Sequence, residues 1–257
     1  MRAFLYATGL FGTLSCTPKS GSILIDDTSN QAIETGEDTP IETGDSTFDD
    51  GRIWPGEEWT EGDPEAYDVD DKALERLQEY VFRADHNSQA LLVIKDGVLV
   101  GEFYSDKRNK DSLVTTWSVA KSLLSALYGV GLREEVLELD DGIGSYISEW
   151  STGPNTAVTI RHLLEMRSGM EANESNPYGI YGDTKDQLAY SLDRTLEWTP
   201  GQIFNYVDED SMVLGEVLSR AFEEEFDQIA QNELFDPLGM EAVWWKDNAN
   251  HTLSYCC

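Results

Sequence analysis

The sequence predicts an α/β domain with an at least partly antiparallel sheet and several helices. Two patterns and the size of the chain carry this expectation. Residues 90–104 read ALLVIKDGVLVGEFY, two β-branched-rich apolar runs joined at Asp96-Gly97, a pair suited to the positive φ of a tight hairpin turn. Stretches with helical spacing begin near Asp70 and recur at 116–130, 160–167, 184–193, 210–224 and 226–235, separated by loops bearing Gly and Pro. With 257 residues, 40% of them hydrophobic, the chain is long enough for one good-sized core plus appendages.

The N-terminal segment stands apart from that domain. MRAFLYATGLFGTLS places Arg2 before an apolar stretch too short to span a bilayer, the layout of a secretory signal peptide over residues 1–16, so the expected location is the periplasm or cell envelope. Cys16 resembles the lipid-acceptor cysteine of bacterial lipoproteins, although Thr13-Leu14-Ser15 departs from the usual pattern. Lipidation of Cys16 and plain cleavage nearby are the two alternatives.

From Asp26 to Asp71 there are 17 acidic residues against Arg52 alone. Such a stretch repels itself and lacks apolar surface, so residues 17–64 read as an acidic, solvated tether and 65–257 as the folded domain. The tether is either a spacer from a membrane or a featureless polar leader. A formal net charge of −31 argues against nucleic acid or an anionic membrane surface as a partner. Cys16, Cys256 and Cys257 show neither metal-ligand spacing nor a disulfide framework.

The domain opens with DDKALERLQEYVFRA, where Leu74, Leu77, Tyr80 and Val81 recur at helical spacing behind acidic first-turn residues. The hairpin follows, and then TTWSVAKSLLSALYG at 115–129. There Ser118 and Lys121 stand three apart, one turn along a helix face, close enough for hydrogen bonding near the helix start. Trp117, Val119, Ala120, Leu123 and Leu124 surround them with apolar groups, a setting that helps a lysine act as a base toward a serine hydroxyl. The N–H of a serine at a helix N-terminus also offers half of an oxyanion hole. S-x-x-K by itself is a weak signal, more often the mark of a helix cap followed by a surface charge.

Three further stretches narrow the choice. W-S-V-A-K-S-L-L-S-A-L, then V-T-I-R-H-L-L-E-M-R-S-G-M at 158–170, then T-P-G-Q-I-F-N-Y at 199–206 and V-L-G at 213–215, resemble in order and spacing the serine β-lactamase-related superfamily over about residues 70–257. The flavour is similar to class C-like hydrolases: family VIII esterases, D-alanyl-D-alanine peptidases and 6-aminohexanoate-dimer hydrolases. The resemblance implies an α/β, β-lactamase/transpeptidase-like fold, an antiparallel sheet flanked by helices with a helical subdomain. It also implies Ser118 as acylated nucleophile, Lys121 as acceptor of its proton, and Tyr206 as the tyrosine relaying a proton to the leaving group. An aromatic plug beside Phe204 is the plain alternative for Tyr206. No cofactor or metal is implied, and the partner is a small-molecule ester or amide.

His162 is expected to pack or cap, and Ser168-Gly169 to turn the chain at a helix end. With only His86, His162 and His251 present and no G-x-S-x-G, a Ser-His-Asp arrangement has no support. Two residues after Tyr206 many relatives place Asn or Ser, whereas this chain has Asp208. A carboxylate near Lys121 favours the ammonium and opposes its use as a base, unless Asp208 faces solvent or is itself protonated. If it faces the site, Asp208 is expected to be a site-tuning or substrate-facing residue.

The K-T-G or H-x-G motif and the last strands that the resemblance implies do not precede Cys257, which makes the expected domain C-terminally truncated and incomplete as a catalyst. The functional expectation is a serine hydrolase working through an acyl-enzyme at Ser118. Its alternative is a non-catalytic, envelope-binding lipoprotein module of the same shape.

Overall fold

In the computed structural model, which describes residues 53–56, 58–171, 179–181 and 185–256, the first helix is α1 (Asp71–Val81). The expected signal peptide, Cys16 and most of the acidic stretch lie outside the described residues. Asp70 caps α1 by accepting the Lys72 N–H at 2.8 Å. Only Leu74 of its apolar face is buried, while Leu77 and Tyr80 are exposed. The helical spacing made the helix, but no described element covers the rest of that face.

β1 (Ala90–Lys95) and β2 (Val98–Tyr104) form the expected antiparallel hairpin. Asp96 and Gly97 have φ of 53° and 82°, as a two-residue hairpin turn requires. The register runs Ala90↔Tyr104 to Val93↔Gly101 and then slips to Ile94↔Leu99, leaving Val100 as an extra residue. This bulge breaks the alternation of faces, and Val98, Leu99 and Val100 are buried in succession. The outer side of β2 is also occupied. Leu99 N–H donates to Thr60 C=O at 2.8 Å and Gly62 N–H to Leu99 C=O at 3.1 Å, so ordered pairing already begins at Thr60.

The rest of the described chain is helical. A 3₁₀ turn at Trp117–Val119 leads into α2 (Ala120–Arg133), and short 3₁₀ turns at Ile143–Ser145, Ser148–Trp150 and Pro154–Ala157 lead to α3 (Ile160–Leu164). α4 (Gln187–Leu192), α5 (Asp208–Phe222) and α6 (Phe226–Ala230) follow. A wider π turn at Gln231–Phe235 joins α6 to α7 (Asp236–Leu238). α3 is shorter than its sequence pattern because Met166 takes a left-handed φ of 55° and turns the chain away.

α5 is the axis of the core. Its Val213, Leu214, Val217 and Leu218 pack with Leu124 and Leu127 of α2, Ile160 and Leu163 of α3, and Phe226 and Ile229 of α6. Two buried polar tips are satisfied within this core. The Tyr128 hydroxyl donates to Leu214 C=O at 2.8 Å, and Trp150 Nε1–H donates to Leu192 C=O at 3.0 Å.

Candidate active site

The site begins with a strained residue. Trp117 sits at φ 50°, a left-handed conformation that costs a side-chain-bearing residue roughly 1–2 kcal/mol. It turns the chain into α2 so that the Ser118 side chain stays open to solvent while Lys121, one turn on, points inward with 11% of its side chain exposed. Lys121 Nζ donates to Ser118 Oγ at 3.0 Å.

Two distant segments complete the surroundings of that amine. Residues 199–206 are pinned behind the site: Gly201 N–H donates to Arg167 C=O and Asn205 N–H to Met166 C=O, each at 2.8 Å, and Asn205 Nδ2 donates to Met170 C=O at 2.9 Å. The next residue, Tyr206, is therefore aimed outward, about half exposed, with its ring centroid 5.1 Å from Lys121 Nζ. Asp208 then opens α5, where three successive acids suit the positive end of the helix. Its Oδ1 lies 2.6 Å from Lys121 Nζ, so it faces the site rather than solvent.

Tyr255 arrives from the far end of the chain because α5 has a glycine where it passes. A Cβ on Gly215 would lie 2.3 Å from Ser254 Oγ, and that hydroxyl donates to Ser211 C=O at 2.7 Å. Residues 252–256 can thus lie flat on α5, which brings Tyr255 C=O to 2.8 Å from Lys121 Nζ. The buried Tyr255 ring meets Tyr181 edge-on at 5.4 Å, and its hydroxyl donates to Gln187 Oε1 at 2.6 Å. Tyr181 in turn donates to Asp208 Oδ2 at 2.7 Å; burial first, then this carboxylate, push its phenol well above the ordinary tyrosine range.

Lys121 Nζ therefore faces three acceptors: Ser118 Oγ, Asp208 Oδ1 and the Tyr255 carbonyl. An ammonium has three N–H donors and no lone pair, so this shell fits the charged lysine. The structure brings Ser118, Lys121, Tyr206 and Asp208 together. It adds Tyr181, Gln187 and Tyr255, which no local pattern marked.

His162 serves the fold instead. Its Nδ1 accepts Thr159 N–H at 3.2 Å while Thr159 Oγ1 accepts His162 N–H, a reciprocal cap on α3. Asp186, Asp247 and His251 bring ligand-type atoms within 4.8 Å of one another. Asp247 accepts N–H groups of Gln187, Ala249 and His251, so the cluster already ties its loop to α4. Burial opposes the Asp247 charge, but these donors outweigh it and hold its carboxyl below the usual range.

The family described as Beta-lactamase matches residues 73–254. The chain belongs to the beta-lactamase family. Among curated relatives in this sequence range, a candidate D-alanyl-D-alanine carboxypeptidase of Escherichia coli strain K12 is 24% identical over 212 residues, covering 70% of this chain and 49% of its own. The chain thus spans about half the length of that relative. Solved structures of similar fold include a candidate 6-aminohexanoate-dimer hydrolase from Bacillus anthracis, with TM-score 0.62 and 19% identity, covering 70% of this chain and 52% of that one. A penicillin-binding protein homologue from Pyrococcus abyssi has TM-score 0.54 and 18% identity, covering 72% and 50%. These likenesses establish the beta-lactamase-type fold, helices flanking a small antiparallel sheet, of which two strands are present among the described residues.

Proposed function

We propose that this beta-lactamase family chain belongs to a serine hydrolase that cleaves a small ester or amide through an acyl-enzyme at Ser118. The observation that carries the reading is the 3.0 Å contact between an open hydroxyl and a sequestered lysine nitrogen at a helix start. In this reading Ser118 Oγ bonds to the substrate carbonyl carbon as its proton passes to Lys121 in the amine form. Collapse of the tetrahedral adduct breaks the bond to the leaving group, which takes a proton through the Tyr206 hydroxyl. Water then attacks the acyl-serine, releasing the acid and restoring the Ser118 hydroxyl. The Ser118 N–H at the head of α2 supplies one donor to the oxyanion, and removing one such donor typically costs about 10²–10³-fold in rate.

One observation favours a second reading, a non-catalytic envelope-binding module. Lys121 Nζ has an acceptor for each of three N–H groups, and an ammonium that fills them has no lone pair to accept the serine proton. A fluorophosphonate probe separates the readings. Labelling of the wild type that disappears in Ser118→Ala supports the hydrolase. Labelling that survives the substitution places the nucleophile elsewhere, and a wild type that never labels supports the binding module.

Export and anchoring through Cys16 belong to the same proposal, motivated by Arg2, the short apolar run and the acidic stretch that follows. Cells fed a fatty-acid analogue are expected to tag the protein, with the tag lost in Cys16→Ala. An untagged, soluble wild type would remove the anchor.

A further inference from the structure

Asp210 is a buried acid for which the reaction above has no use. Its residue is 0% exposed, on the first turn of α5, and neither carboxyl oxygen has a partner in hydrogen-bond geometry among the described residues. The donors acting on it are the N–H and hydroxyl of Ser168, neither of which closes to that geometry. Among the described residues no cation compensates it. Arg194 is paired with Glu171 and Glu209, Lys121 with Asp208, and Arg167 donates to the Gly201 carbonyl. The adjoining Glu209 only adds like charge. An isolated carboxylate in such surroundings is strongly disfavoured, whereas a carboxylic acid has one O–H to give and a carbonyl to receive. Ser168 offers the complement of both: its Oγ, which accepts Met170 N–H at 3.2 Å, has a second lone pair, and its N–H can donate.

What Ser168 belongs to gives its place beside Asp210 a purpose. The turn at 166–170 holds the segment leading to Tyr206: Gly169 C=O accepts the N–H groups of Glu197 and Trp198 at 2.8 and 3.1 Å, and Met166 and Met170 carbonyls hold Asn205. Gly169 has φ 88°, and a Cβ there would lie 2.2 Å from Trp198 C=O, so the two segments touch backbone to backbone.

We propose that Asp210 is a positioning residue which, as a neutral acid, clamps the Ser168-Gly169 turn to α5 and thereby fixes Tyr206 beside Lys121. The role of Tyr206 rests on the hydrolase reading; the clamp does not. Burial pushes the Asp210 carboxyl well above its ordinary value of 3.8, with Glu209 adding to the shift and Ser168 opposing it. Because the folded state holds the proton more tightly than the unfolded chain, the stability contributed by the neutral acid is fully present below pH 3.8 and is lost as pH rises through the folded value. Ionisation at higher pH would also open the turn behind Tyr206.

The test compares the 257-residue wild type with Asp210→Asn, which keeps one donor and one acceptor but cannot ionise, and with Asp210→Ala. The melting temperature of Asp210→Asn is expected to gain on the wild type by about 4 °C or more between pH 4 and pH 8. The infrared difference spectrum between the two should contain the C=O stretch of a protonated carboxyl at neutral pH. Both readouts need no substrate, so they stand even if Ser118 is never acylated. Where the fluorophosphonate reacts, Asp210→Ala should slow labelling about 10- to 100-fold and Asp210→Asn should restore it, removing any decline toward alkaline pH. Parallel melting curves across pH, or a carboxylate signature for Asp210 at neutral pH, would overturn the proposal. So would an Asp210→Asn labelling rate as low as that of Asp210→Ala.

Discussion

The helical body and the hairpin region meet the same demand, hiding apolar side chains, with different success. In the body, Leu127, Ile143, Ile147, Val158, Ile160 and Leu163 are fully buried around α5 in one continuous core. In the hairpin region, Val98, Leu99, Val100 and Leu74 are buried outside that core, while Ile94, Leu77 and Tyr80 remain open. Both regions carry regular apolar spacing. Spacing makes an element amphipathic, but burial depends on whether another element arrives to cover the face. The candidate site lies at the margin of the better-packed region, with Lys121 enclosed by helices and Ser118, Trp117, Phe204 and Tyr206 exposed.

The largest expected effect is on the body. Trp150→Ala removes the bulkiest fully buried side chain and leaves Leu192 C=O without its donor, so the loss should be about 3–5 kcal/mol, read from urea or thermal unfolding. Leu99→Ala, the matching change in the hairpin, should cost about 2 kcal/mol, at the low end for a buried leucine. Amide exchange should show that loss mainly in β1, β2 and Thr60–Gly62. If it quickens equally throughout α2 and α5, the two regions form one cooperative unit and the contrast between them fails.

A smaller effect belongs to the enclosed half of the site. Asp208→Asn should raise the rate of Ser118 acylation by about tenfold, since the carboxylate that pairs with Lys121 at 2.6 Å gives way to a neutral amide. A slower variant would show that Asp208 acts by holding Lys121 in place.

These regions also differ in how much of them could be read from residue order. The hairpin was legible down to its turn because Asp96-Gly97 and the flanking apolar runs are local signals. The bulge at Val100 was not, because strand registers are settled by what each face meets. α2 was expected from 116, but the left-handed Trp117 delays its α-helical part to Ala120. In the site, Ser118 and Lys121 are a local pair, and Tyr206 was recoverable through its motif. Asp208 was visible as a departure from that motif, though the direction in which it points was not. Tyr181, Gln187 and Tyr255 have no such mark, since their roles arise only where three remote segments converge. Asp210 stood in plain view within an acidic helix start, and only packing distinguishes it from an ordinary solvated charge.

The carbonyl that completes the shell of Lys121 lies 134 residues further along the chain. At a synthesis rate of about 5–20 residues per second, the ribosome needs roughly 7–27 s to reach Tyr255 after making Lys121. Until then the amine has neither that acceptor nor the Tyr255 ring beside it, and the loop still to be closed is among the longest in the domain. Completion of the site therefore trails the synthesis of Lys121, waiting for translation to reach Tyr255 and for residues 252–256 to dock on Gly215. A nascent or partly threaded chain would carry Ser118 without its finished surroundings.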